Sequence, residues 1–203
     1  MIFTKDTKMD DKKVFAHESA CIDDHVTIGD GTKIWHFSHI QSGAVIGKNC
    51  VLGQNVNVGN NVTIGNYCKI QNNVSIYEGV ILEDYVFCGP SMVFTNILDP
   101  KCKYPQVGIE FYIKTRIREG ASIGANATII CGNTLGKHCM IGAGTVVTKD
   151  VPDYALVIGV PGKVVGWVSE AGKKLKFDKN GNAACSRTGI KYQFENGKVA
   201  EVA

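Results

Sequence analysis

Apolar residues recur at every sixth position along most of this chain. Stepping from Ile22 meets Ile28, Ile34, Ile40, Ile46, Leu52, Val58, Ile64, Ile70, Ile76, Leu82, Cys88 and Phe94. A second run gives Ile117, Ile123, Ile129, Leu135, Ile141 and Val147. Two positions ahead of many anchors lies a second, mostly small series, among them Val26, Ala44, Cys50, Val56, Val62, Cys68, Val74, Val80 and Val86. Glycine often follows the anchor directly, as at Gly53, Gly124 and Gly142. A period of six fits neither a 3.6-residue helix nor an alternating strand, and it predicts a parallel β-helix. Three hexapeptides then close one triangular coil. Residues eighteen apart stack on neighbouring coils about 4.7–4.9 Å away, and each coil touches only its neighbours.

The two runs are out of phase, because Phe94 and Ile117 are 23 residues apart. A segment must therefore loop out between them, over 97–116, and it carries Pro100 and Pro105 among several charges. Loops longer than about 12–15 residues are usually functional or disordered. The expected organisation is a polar segment over 1–13 that frays, a β-helix with its excursion over 14–166, and an extension over 167–203. In that extension, 167–176 is expected to form a short helix. Asn180-Gly181 and Asn196-Gly197 are turn signals for a β-hairpin.

Composition narrows the classes. With 203 residues, 44% of them hydrophobic, the chain reads as a soluble all-β protein of one main domain. A net charge of +3 is too small and scattered to argue for nucleic acid. No apolar stretch approaches the roughly 18–20 residues of a membrane span, and no signal peptide is evident, so a cytoplasmic location is expected. Of eight cysteines, Cys50, Cys68, Cys88 and Cys139 fall on inward positions and read as buried reduced thiols, although Cys50 and Cys68 stand one coil apart. Without any C-x-x-C pair, no metal is expected.

Three stretches carry a family resemblance. Residues 149–163 (KDVPDYALVIGVPGK) resemble the end of a hexapeptide-repeat acyltransferase helix. Residues 69–77 (KIQNNVSIY) and 86–96 (VFCGPSMVFTN) resemble the N-acetyltransferases that act on nucleotide-linked 3-amino sugars. Within that group the chain resembles the UDP-2-acetamido-3-amino-2,3-dideoxy-glucuronate N-acetyltransferases, from about residue 14 onward. The resemblance implies a left-handed β-helix, an exception to the usual right-handed crossover. It also implies acetyl-CoA as co-substrate, a nucleotide-sugar acceptor used in surface polysaccharide synthesis, and a homotrimer with its active sites between subunits.

The residues sharpen the reaction. Hydroxyl-acetylating members of this fold place a histidine just ahead of the excursion as general base. Here the matching slot holds Asn96, and no histidine lies between His39 and His138. A neutral amide takes no proton at a useful pH, but it donates hydrogen bonds to an oxyanion. An alcohol nucleophile needs a base, whereas an amine needs only to be unprotonated and positioned. Asn96 therefore favours an amine acceptor attacking the thioester directly, with no acyl-enzyme. Eighteen-residue stacking puts Glu78 beneath Asn96, where it steers the amine, takes its proton, or merely caps a turn. His36, Gln54 and Asn72 form a polar column that reads either as sugar and uridine contacts or as a turn ladder. Arg116 and Arg118, with Lys101, Lys103 and Lys114, are candidates for a diphosphate or a uronic carboxylate, or simply solvated charges. By resemblance, coenzyme A runs past Gly124, Gly142 and Ala143, with Lys163 and Lys149 near its phosphates.

Competing readings remain open at this level. A dTDP-linked amino-deoxysugar poses the same demands at the reacting nitrogen. A hydroxyl O-acetyltransferase is disfavoured by Asn96. A γ-class carbonic anhydrase needs three zinc-binding histidines from neighbouring coils, but His36 and His39 share one coil and His138 lies far along the axis. A non-catalytic β-helical scaffold does not ordinarily carry a register-breaking loop.

Overall fold

The computed structural model describes residues 13–106 and 108–202. The expected fraying of 1–13 falls, but for its last residue, outside them. The chain folds as a left-handed parallel β-helix. Its strands are mostly two residues long, and they stack into sheets of nine, seven and six strands that form the faces of a prism. On the first face, Phe15–Ala16, Lys33–Ile34, Val51–Leu52, Lys69–Ile70 and Phe87–Cys88 lie in parallel register, each eighteen positions from the next. The second face carries Ile22, Ile40, Val58, Ile76, Phe94, Ile129 and Val147. The third carries Ile28, Ile46, Ile64, Leu82, Ile117 and Leu135. From Ile34 onward nearly every anchor is buried, and the coils share one continuous core.

Two local features recur at the corners. Where glycine follows the anchor it lets the next coil approach, since a Cβ on Gly53 would lie 2.8 Å from the backbone nitrogen of Asn72; elsewhere Trp35, Gln41, Gln71 and Tyr77 hold the same position. The third residue after the anchor turns the chain with a positive φ, through Gly31, Asn49, Asn55, Asn61 and even Phe37, Tyr67 and Tyr85. Glycine at the first position thus serves packing between coils, and the conformational demand falls two residues later.

The small inward series has a polar duty as well. Thr32 Oγ1 donates to the carbonyl of Gly47 at 2.8 Å, and Ser38 Oγ to that of Gly53 at 2.9 Å. Cys50 Sγ and Cys68 Sγ do the same toward Gly65 and Glu83, both at 3.1 Å. A short donor here satisfies a corner carbonyl that the strands leave over. All eight cysteines are free thiols.

The excursion leaves the stacking undisturbed. Leu82 pairs with Ile117, 35 positions on instead of eighteen, so an extra seventeen residues are looped out at one corner. Its ends are tied together: Ile113 N–H donates to the Asn96 carbonyl at 2.9 Å, and Thr115 N–H to that of Gly79 at 3.0 Å. The loop closes before Thr115, earlier than the expected limit of Arg116, because Thr115 and Arg116 already pair with Val80 and Ile81. Leu98, Tyr104 and Ile109 stand exposed along it.

The helix expected over 167–176 does not form. Lys163–Trp167 is a strand running antiparallel to Ala155–Ile158, and Val168 bridges Lys174 around a tight turn. At the turn, Gly172 has a φ of +72°, and Ser169 Oγ accepts the Lys173 N–H at 3.1 Å. Burial of Val168 and Ser169, and of Leu175 in the small core of the extension, overrides a composition that tolerates a helix. Beyond it, Asn182–Ala184, Lys191–Glu195 and Lys198–Val202 form a three-stranded antiparallel sheet. Asn196 and Gly197 both have positive φ and make the two-residue hairpin turn. This sheet builds a second small core around Tyr192, with Trp167 packed against both cores, and so closes the last coil.

Candidate active site

Asn96 sits half-buried at the corner between the second and third faces, where the excursion departs. Its side-chain Nδ2 donates to the backbone carbonyl of Glu78 at 3.3 Å. The Glu78 carboxylate turns elsewhere and accepts from Asn61 Nδ2 at 2.9 Å. Stacking thus brings Asn96 and Glu78 together, but through the peptide of Glu78. One N–H of the Asn96 amide is oriented by that carbonyl, and a carboxamide nitrogen carries a second N–H for another acceptor. The neighbouring Thr95 Oγ1 accepts the Cys131 N–H at 2.9 Å, which holds this corner to the coil above. Among the described residues, His17, His25, His36 and His39 lie in the first two coils and His138 stands on a different corner.

His36, Gln54 and Asn72 lie together on the corner between the first and second faces. With Trp35, Lys69 and Gln71 they line an open cleft of about 270 Å³. The His36 ring stacks on His17, with centroids 3.5 Å apart. Asn72 Oδ1 accepts the Gln54 N–H at 2.9 Å, the turn-ladder bond that its position allows. Asn66 and Asp84 make the same bond to the coil beneath them on another corner. Gly124, Gly142 and Ala143 continue the cleft's corner at higher coils. There a Cβ on Gly124 would lie 2.5 Å from the Ala143 nitrogen, so this glycine is required by coil stacking alone. Lys163 is exposed and pairs with Ile158 at the end of the first face.

The arginines are committed within the chain. Arg116 Nε donates to Glu83 Oε1 at 2.8 Å on the third face, and Arg118 Nη1 to Asp153 Oδ1 at 3.0 Å on the corner between the third and first faces. Arg116 is the more exposed of the two. Such exposed pairs contribute little to stability and can exchange partners.

These groups therefore occupy separate corners of one prism. Asn96 and Glu78 share one corner, while the cleft and the small residues Gly124, Gly142 and Ala143 share another. Neighbouring corners are six residues apart along the coil, up to about 20 Å of extended chain. No residue in the set bridges that distance within the described chain.

The sequence matches the family model for bacterial transferase hexapeptide repeats over residues 25–60 and 114–149, and that for the hexapeptide repeat of succinyl-transferase over 43–78. It is 42% identical over 188 residues to dTDP-3-amino-3,6-dideoxy-alpha-D-galactopyranose 3-N-acetyltransferase of Aneurinibacillus thermoaerophilus, covering 93% of this chain and 95% of that one. Among solved structures, a variant of GDP-perosamine N-acetyltransferase from Caulobacter crescentus, with CoA and GDP-perosamine, is similar with a TM-score of 0.51. That match has 24% identity and spans 77% of this chain and only 58% of the other. A hexapeptide-repeat acetyltransferase from Vibrio cholerae, with acetyl coenzyme A, gives a TM-score of 0.53 at 24% identity, over 63% of this chain and 72% of that one. The two structures speak for the fold. The long match at 42% identity speaks for more: this chain belongs to the hexapeptide-repeat acyltransferases.

Proposed function

We propose that this protein transfers an acetyl group from acetyl-CoA to the amino group of a dTDP-linked 3-amino-deoxyhexose. The observation that carries this reading is the 42% identity, over almost the full length of both chains, to an enzyme named for that acceptor. It replaces a UDP-linked 3-amino glucuronate as the leading acceptor. Asn96 at the head of the excursion supports an amine over a hydroxyl.

In this scheme the uncharged sugar amine attacks the thioester carbonyl. A C–N bond forms, the carbonyl oxygen takes the negative charge, and Asn96 donates its second N–H to it. Collapse breaks the C–S bond, and the proton shed by nitrogen leaves with the CoA thiolate. Glu78 acts as a positioning residue, its backbone carbonyl fixing the plane of the Asn96 amide. Gln54, Asn72 and His36 would contact the nucleotide sugar from the cleft, with Arg116 near its phosphates, whereas Arg118, paired with Asp153 on the remaining corner, lies on neither edge of this site. Coenzyme A would follow the corner of Gly124, Gly142 and Ala143 toward Lys163. Because these corners lie apart on one prism, the complete site requires a second copy of the chain, and a cyclic homotrimer supplies it. The exposed Leu98, Tyr104 and Ile109 of the excursion suit such a contact.

The test is release of CoA thiol with acetyl-CoA against four acceptors: dTDP-3-amino and dTDP-4-amino deoxysugars, a UDP-3-amino glucuronate, and a hydroxyl sugar. Turnover is expected with the dTDP-3-amino acceptor above the rest. Preference for the UDP-linked acceptor would overturn the nucleotide assignment, and turnover of the hydroxyl sugar alone would overturn the role of Asn96.

A further inference from the structure

The first two coils carry a cluster that acyl transfer does not use. Cys21 and His39 are direct register partners on adjacent strands of the second face. Asp23 follows at the corner beside them. His39 Nε2 lies 2.9 Å from Asp23 Oδ1, and Cys21 Sγ lies 3.8 Å from the same oxygen. One donor atom from each of the three residues falls within 4.8 Å of the other two. The cluster shares its corner with Asn96 but sits four coils below, about 19 Å away at a coil spacing near 4.8 Å.

We propose that Cys21, Asp23 and His39 form a zinc site that clips the first coil to the second. The donor set is a thiolate, an imidazole and a carboxylate, which suits Zn²⁺ among the common divalent ions and leaves a fourth position for water. As thiolate and carboxylate, the set carries two negative charges, matching a divalent ion. Metal–ligand bonds of about 2.0–2.3 Å at tetrahedral angles require edges of roughly 3.3 Å between nitrogen and oxygen and 3.5 Å between sulfur and oxygen. The observed 2.9 and 3.8 Å differ from those edges by a few tenths of an ångström, and the donor atoms of Cys21 and His39, within 4.8 Å of each other, must close to about 3.5 Å by side-chain rotation when the ion binds.

The location gives the ion a purpose. Among the described residues, Cys21–Ile22 is the edge strand of its sheet, and Ile22 is 40% exposed where every later anchor on that face is buried. A solenoid needs its terminal coils protected, and the opposite end has the extension to cover it. The ligating character also stops after two coils. The next residue along the column, Asn57 one coil further from the edge, accepts from Gln41 Nε2 at 3.0 Å and belongs to a different pairing.

Cobalt titration of the metal-stripped, fully reduced protein tests the proposal without reference to activity. A near-ultraviolet thiolate-to-cobalt band together with tetrahedral visible bands is expected. Both should vanish in Cys21→Ser, weaken in His39→Gln, and persist in Cys102→Ser, which removes the other exposed thiol. Zinc should in turn slow hydrogen exchange of the amides around Cys21 at least tenfold in the unaltered chain and leave Cys21→Ser unchanged. Absence of a thiolate band, or a band that survives Cys21→Ser, would overturn the site. Binding without slower exchange would overturn the clip.

Discussion

Asn96 gives up one amide N–H to the Glu78 carbonyl and can offer the other to a developing oxyanion. Asn96→Ala removes that donor, and turnover is expected to fall about 10²- to 10³-fold, the usual loss for one oxyanion donor. The Michaelis constant for the sugar should change far less, and steady-state kinetics at several acceptor concentrations separates the two. Glu78→Gln keeps the backbone carbonyl and a partner for Asn61, so turnover and its pH profile should both hold. Loss of the acidic, ascending limb from that profile would make Glu78 a proton acceptor instead. Stability at this scale hinges on glycine after the anchor. A methyl group at Gly53 would sit 2.8 Å from the Asn72 nitrogen, against backbone that has nowhere to move. Gly53→Ala is therefore expected to cost about 1–3 kcal/mol, as overpacking does, measurable as a lower urea midpoint. Tyr67→Asn, at a position with a φ of +57°, should cost nothing comparable.

The coil is the element in which sequence was most informative, because a six-residue period admits only one way to bury its anchors. Ile34 to Phe94 go inward as their spacing demands, and the eighteen-residue register is what the strands adopt. Less legible were the places where a residue answers to the next coil rather than to its own. The threonine, serine and cysteines of the small inward series look like interchangeable small residues in a string of letters, yet each donates to a carbonyl fifteen positions on. The end of the chain misled for a related reason: Val168 and Ser169 are fixed by burial, and Leu175 by the small core around Tyr192, contacts with no local signature. The pairing of Arg116 with Glu83 was equally hidden, because the excursion separates the two from the regular count, and Arg118 meets Asp153 only where the last coil departs from that count, as Leu135 does in bridging Val151. The buried thiols also set a pH limit on the coils. Burial pushes both Cys88 and Cys139 up to about 12, with Asp153 adding to the effect at Cys139. A thiol raised in the folded state from an ordinary value near 9 contributes stability that is complete below pH 9 and is lost as pH rises toward 12. The urea midpoint should therefore fall above pH 9, and more gently in a Cys88→Ala, Cys139→Ala double variant. An equally steep fall in that variant would place the alkaline sensitivity elsewhere.

At the scale of the whole molecule, the separation of corners is the decisive geometric fact. If Asn96 and the Gly124–Ala143 column both serve the acyl group as proposed, one prism that presents them on different edges cannot bring the two together. Three copies around an axis can, since each places one edge against a different edge of its neighbour. This arrangement has a consequence that no single-chain site shares. Asn96→Ala disables one edge, and Ala143→Trp, at an exposed residue, blocks the other without touching the core. Each variant alone should be nearly inactive. In trimers reassembled from an equal mixture, a site with wild-type residues on both edges arises wherever an Ala143→Trp subunit contributes Asn96 and an Asn96→Ala subunit contributes Ala143. Random assembly gives that combination at roughly one site in four, so the mixture should recover about a quarter of wild-type turnover. If both edges of a site came from the same chain, mixing would return only the average of the two variants. Restored turnover, with the trimer confirmed by light scattering, would place the reaction between subunits, and an unrestored mixture would return it to a single prism.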